Sequence, residues 1–155
     1  MDALEENLDG YDADCAAQDR DPKAAERMIL LPFFAHESTE KGREIFGRYV
    51  EWFYNKVASN QLSTATGNQI VRGYELTMTE GRKTREMGYL SFDNLIKYGA
   101  AIAGDPEECV DKLQEMKERF GITEFVLWSN IGGIPAALAM QSMELAAEKV
   151  IPRLQ

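Results

Sequence analysis

The sequence holds one histidine, His36, and it stands beside Glu37 at the polar end of the apolar run "RMILLPFFAHES". A histidine next to a carboxylate is the pairing that general acid/base chemistry uses near neutral pH. With no second histidine and no Cys/His spacing, a metal site is not expected. The competing reading is a packed or solvated strand-end histidine. A second candidate is "FVLWSNIGGIP", Phe125 to Pro135, where an apolar run rich in β-formers meets Ser129, Asn130 and the pair Gly132-Gly133 before a long helix. Ser and Asn supply hydrogen bonds. Glycines permit close backbone approach at a helix N-terminus, where anions are favoured. The structural alternative is a strand-to-helix turn that needs positive φ and nothing more.

Gly104 and Asp105 in "AGDPEE" form a weaker candidate, because Asp105 is explained as the N-cap of a helix with Pro106 in its first turn and Glu107 and Glu108 at its positive end. The basic group Arg82, Lys83 and Arg85 could hold a phosphate, although a solvated face explains it as well.

These residues need elements to hold them. Asp2 to Gln18 reads as a helix, with Leu4, Leu8, Tyr11 and Cys15 at helical spacing. Arg27 to Ser38 reads as a buried strand, in which Pro32 implies an edge position, a bulge or a break. Ser38 or Thr39 caps a helix carrying Ile45, Tyr49, Val50, Trp52, Phe53 and Val57, and the stripe of Tyr49, Trp52 and Phe53 is expected to pack on the sheet. Residues 61–99 have weak periodicity and many Gly, Ser and Thr, which predicts an irregular excursion with short helices, an insertion or lid. A short strand at Ala100 to Ala103, a helix ending at Phe120-Gly121, a strand at Glu124 to Ser129 and a helix from Pro135 to Val150 complete the chain. The alternation predicts a single α/β domain over 1–155, with three parallel strands whose carboxyl ends share one side.

The bulk numbers restrict the partners. Of 155 residues, 17 are basic and 26 acidic, a net charge of −9. That balance disfavours nucleic acid and anionic membranes, and no apolar run is long enough to span a bilayer. Cys15 and Cys109 read as reduced thiols, as in a cytoplasmic protein.

The stretch "AGDPEECVDKLQEMKERFGITEFVLWSNIGGIPAALAMQSMELAAEKVIPRLQ" resembles the C-terminal end of the bacterial luciferase-like, flavin-dependent monooxygenases. The matching elements are Gly104 to Glu107, Gly121 to Trp128, Gly132-Gly133, and Ser142 to Leu154. "MILLPFFAHESTEKGREIF" is similar to the family's preceding strand and helix. The resemblance covers Arg27 to Gln155 apart from the excursion. It implies a portion of a (β/α)8 TIM barrel, a fold that typically needs about 250 residues, so the chain reads as the last three βα units preceded by a helix.

The resemblance also implies oxidation of a small organic substrate by O2 with reduced flavin. FMN would be contacted by Ser129, Asn130, Gly132 and Gly133, with His36 as the catalytic residue. Without the family's first five strands much of that site is missing. The alternative is a non-catalytic barrel fragment that self-associates as a binding or structural module. Unpaired strand edges and the apolar run "FVLW" lead us to expect a homo-oligomer, most simply a two-fold dimer.

Overall fold

In the computed structural model the described residues are 2–58 and 91–154. Helix α1 (Asp2–Ala17) leads into strand β1 (Met28–Ala35) and helix α2 (Thr39–Trp52), which widens into a π-helical turn over Phe53–Ala58. Helix α3 (Phe92–Lys97), strand β2 (Ile102–Gly104), helix α4 (Pro106–Phe120), strand β3 (Glu124–Trp128) and helix α5 (Ala136–Lys149) follow. Among the described residues no helix is long and apolar enough to cross a membrane, and Cys15 and Cys109 are free and buried.

The expected parallel sheet is present, with strand order β2-β1-β3. Three consecutive barrel units would lie in sequential order, whereas here the first strand lies between the other two. The stagger of the pairings produces this. Met28 to Pro32 pair with Glu124 to Trp128, and Phe33 to Ala35 pair with Ile102 to Gly104. Right-handed crossovers that run in opposite directions place their helices on opposite faces of a sheet. Accordingly Leu31, Phe33 and Ala35 pack with Val110, Leu113 and Phe120 of α4, while Phe34 and Ala103 pack with Phe46 and Val50 of α2 and Leu95 of α3. Phe34 stacks on Phe46 at 5.1 Å between centroids, and Phe92 meets Phe46 edge-on at 6.2 Å.

Pro32 therefore sits on the central strand and not at an edge. The His36 N–H points to Gly104 O at 3.0 Å, and the donors alternate sides along a strand. The missing Pro32 N–H thus falls on the β2 side, before Ile102, the first paired residue there. No ladder bond is lost.

Helix boundaries follow the capping chemistry. Ser38 caps α2, Asp105 caps α4 with its carboxylate accepting from Glu108 N, and Gly121 ends α4 in the left-handed region at φ 64°. Of the expected aromatic stripe, Tyr49 and Phe53 are half-buried against the core that Phe46 and Val50 fill, but Trp52 turns outward and is 51% exposed. The small-residue strand begins later than expected, at Ile102. Residues 91–99 of the expected insertion supply core side chains, Phe92 and Leu95; residues 61–90 of it, with the basic group Arg82, Lys83 and Arg85, lie outside the described residues.

β1 is covered on both faces only along its C-terminal half, where Leu31 to Ala35 are buried, while Met28 and Leu30 are exposed. Phe33→Ala is expected to cost about 3–5 kcal/mol and Leu30→Ala no more than about 0.5 kcal/mol. Urea unfolding of the two variants measures the difference, and equal midpoints would contradict this layering.

Candidate functional site

His36 follows the last residue of the central strand, and its imidazole is held by its own loop. Nδ1 accepts the Ser38 N–H at 2.9 Å, with Ser38 O at 3.1 Å beside it. That assignment leaves the proton of the neutral ring on Nε2. The ring lines a cleft of about 320 Å³ between the end of β1 and the flank of α5, where Phe34, Ala35 and Leu145 are apolar and Glu37, Gln141, Ser142, Glu144 and Glu148 are polar. Ser142 is 1% exposed, and its Oγ accepts the Ala35 N–H at 2.9 Å. This bond replaces the strand partner that β3, ending beside Pro32, does not provide. Lys149 Nζ donates to Glu37 at 2.9 Å, and this bond raises the lysine pKa further.

The loop after β3 is organised differently. Ile131 and Ile134 are buried and anchor a tight turn in which Ile134 N donates to Ile131 O at 3.2 Å. Its two central residues, Gly132 and Gly133, have φ of 64° and 76°, a requirement that glycine meets at little cost. They are not equivalent. A Cβ on Gly132 would lie 1.9 Å from Tyr49 O in α2, whereas one on Gly133 would meet nothing within 4 Å. Ser129 is buried. Asn130 is exposed, and its carbonyl accepts the Trp128 indole N–H at 2.8 Å. Beyond Pro135, α5 starts with no side-chain cap and no acid in its first turn.

The predicted residues thus separate into two places. The cleft that His36 lines includes none of Ser129, Asn130, Gly132 and Gly133. Gly132 and Ser129 are committed to packing, while Asn130 and Gly133 face outward beside the uncapped end of α5. At that end Leu138 N–H and Ala139 N–H donate to Pro135 O, and Ala136 and Ala137 are exposed; an uncapped helix start favours an anion such as the FMN phosphate. Such an anion does not fit the carboxylate-lined His36 cleft.

The start of α4 is closed by its own chain. Thr39 Oγ1 lies 3.0 Å from both Asp105 Oδ2 and Glu108 Oε2 and accepts the Asp105 N–H at 2.9 Å. Arg43 pairs with Glu108 and donates from Nε to Ala103 O at 3.2 Å. The Glu108 N–H and then the Thr39 hydroxyl hold the Asp105 carboxyl below its usual range. Asp105 is a cap, as its position implied. Sequence reasoning missed Gln141, Ser142, Glu144 and Glu148; their only sequence signal is a polar stripe at spacings of three and four on the last helix.

No family model and no curated protein matches the sequence. Solved structures do share the fold. Monooxygenase RslO1 from Streptomyces bottropensis aligns over 98% of this chain and 38% of its own, with a TM-score of 0.58 and 19% identity. The oxygenating constituent of 3,6-diketocamphane monooxygenase from Pseudomonas putida, a type II Baeyer-Villiger monooxygenase in complex with FMN, aligns over 99% of this chain and 40% of its own, with a TM-score of 0.62 and 14% identity. The chain spans about two fifths of these relatives' length, and at such identities the likeness is one of fold.

Gly132→Ala is expected to be the more damaging of the two loop substitutions. Each change costs about 1–2 kcal/mol for a side chain in the left-handed region, and overpacking against Tyr49 adds about 1–3 kcal/mol at Gly132 alone. Thermal melts separate the two, and a Gly133→Ala melt at or below that of Gly132→Ala would contradict the packing. Because the folded-state pKa of Asp105 is lowered, its stabilisation is complete at neutral pH and is lost as pH falls through the lowered value. Stability of Asp105→Asn measured against pH is expected to show a flatter acid limb than the parent protein.

Proposed function

We propose that the chain serves a luciferase-like, flavin-dependent monooxygenase reaction, the oxidation of a small organic substrate with O2. The likeness of fold to two monooxygenases supports this reading, and the contrast between two helix starts carries it. The N-terminus of α4 is neutralised by Asp105 and Glu108, whereas that of α5 is uncapped behind an exposed Gly133 and Asn130. A flavin phosphate would be held by the first N–H groups of α5, with Asn130 beside it. Bound reduced flavin supplies the electrons that activate oxygen. His36 lines the substrate cleft, where the Nε2–H of the neutral ring can donate a hydrogen bond to the substrate while the Ser38 N–H fixes the ring through Nδ1. Phe34 and Leu145 exclude water from the apolar side. The parallel βα units are in keeping with the likeness of fold, although their order, β2-β1-β3, is not that of consecutive barrel units.

Titration of FMN against the protein, read by quenching of flavin fluorescence, is expected to show saturable binding. Asn130→Asp, which adds a negative charge beside the α5 terminus, should weaken it about fivefold, the equivalent of about 1 kcal/mol. Absence of binding, or equal affinity in the variant, would overturn this reading.

A second reading is a self-associating module, favoured by one observation. Met28, Leu30 and Val126 share a sheet face, Leu30 pairs with Val126, and all three are exposed. A second copy packed face to face on this surface would cover it. Light scattering at low micromolar concentration is then expected to give a dimer, and a 17.5 kDa species would exclude it.

A further inference from the structure

We propose that β3 pairs through its free edge with β3 of a second copy, antiparallel and with the two-fold axis at Val126, so that the two sheets become one. The proposal rests on the second reading above, that copies of this chain associate, and names a contact distinct from face-to-face packing.

The direction of the backbone groups comes first. Among the described residues β1 is the only strand beside β3. The Glu124 N–H donates to Arg27 O at 3.2 Å, so Glu124, Val126 and Trp128 direct their backbone groups at β1. Alternation along the strand turns the N–H and C=O of Phe125 and Leu127 to the other side. Among the described residues nothing pairs with them there, and both residues are only half-buried.

The opposite edge of the sheet is treated differently. Just before β2 the Ala101 N–H donates to Leu95 O of α3 at 3.2 Å, and within it Ala103 O accepts from Arg43 Nε at 3.2 Å. Proteins blunt exposed edges by such covering, or with lysine, proline or a bulge. The β3 sequence "EFVLW" has no lysine or proline, and it pairs with β1 without interruption from Glu124 to Trp128.

This edge is complementary to itself in one register. With Val126 opposite Val126 of the second copy, Phe125 lies opposite Leu127 and Glu124 opposite Trp128. Phe125 and Leu127 then form hydrogen-bonded pairs in which each residue both donates and accepts, and the free groups of both edges are used. A two-fold axis at Glu124 would set like charges opposite each other, which is unfavourable, and one at Trp128 would set most of the strand against a loop. With the axis at Val126 the two Glu124 residues are about 14 Å apart along the strands, beyond the Debye length of about 8 Å at physiological salt.

The test uses the full chain without flavin, so that its outcome is independent of flavin binding. Light scattering is expected to give a dimer for the parent protein and a monomer for Val126→Lys, because two ammonium groups would meet at the axis; Val126 is 41% exposed, so the core is untouched. Amide hydrogen exchange at Phe125 and Leu127 should be about tenfold slower in the parent than in that variant, while Trp128, whose N–H faces β1, changes little. Single cysteines separate edge pairing from face packing. Val126→Cys places two thiols at the axis, where the Cα atoms of a non-hydrogen-bonded pair are about 4.5 Å apart, within disulfide reach, so copper phenanthroline should link the copies. Leu30→Cys lies one strand further out in each copy, about 14 Å from its counterpart, and should not be linked. Cys15 and Cys109 are buried, and the parent protein supplies the background. A monomeric parent would overturn this proposal together with the second reading. A dimer that Val126→Lys leaves intact, that Leu30→Cys links as readily as Val126→Cys, or that leaves Phe125 and Leu127 exchanging as in the monomer would overturn this proposal alone.

Discussion

One backbone donor, the N–H of Ala35, sets the arrangement of the carboxyl end of the sheet. β1 is shared between two neighbours that each cover only half of it, and at Ala35 neither strand is available on the β3 side. A buried N–H left unpaired there would cost about 1–3 kcal/mol. Ser142 meets it from α5, which fixes where that helix must cross the strand. Its first turns therefore pack Ala139 toward the α2 side of the sheet, and its last turns pack Ala146 and Val150 toward the α4 side. The sharp Gly132-Gly133 turn and the His36 cleft both follow from that crossing.

The same end of the sheet carries two helix starts with opposite electrostatic treatment. At α4 the Asp105 carboxylate accepts the Glu108 N–H and the Thr39 hydroxyl accepts the Asp105 N–H, while Arg43 pairs with Glu108 and donates to Ala103 O, which ties α2 to β2 and leaves little room for an anion. At α5 nothing comparable is present, and the carboxylates of that helix appear two turns later on the cleft side. Charge is thus segregated along one helix, with positive potential at its start and negative potential along its middle.

Much of this was legible in the sequence, and the reasons are local. Asp105, Pro106 and Gly121 marked the limits of α4 because capping depends on neighbouring residues alone, and the Gly-Gly pair marked a turn with positive φ for the same reason. Strand order was not legible, since it depends on which half of β1 each partner covers. Nor was the exposure of Trp52, whose place on the helical stripe is set by how far the core extends. Of the candidate site, His36 could be found by type and position. The residues facing it could not, because Ser142 lies 107 positions beyond Ala35 and is indistinguishable from any other serine in a helix. The separation of His36 from the Gly-Gly loop was hidden likewise, since both lie at strand ends and only the path of α5 parts them.

Pro32 acquires another meaning when the chain is considered as it is made. β1 pairs with a strand about a hundred positions later, the Arg27 N–H reaching Thr123 across 96 residues. At a synthesis rate of about 5–20 residues per second, that leaves "MILLPFFA" without its partner for about 5–20 s after it emerges. An apolar run of β-forming residues is then open to pairing with any other nascent or misfolded chain. A proline near its centre interrupts the donor row and discourages such pairing. In the finished fold the same proline faces a gap that β2 does not reach, so the protection during synthesis leaves the native ladder intact.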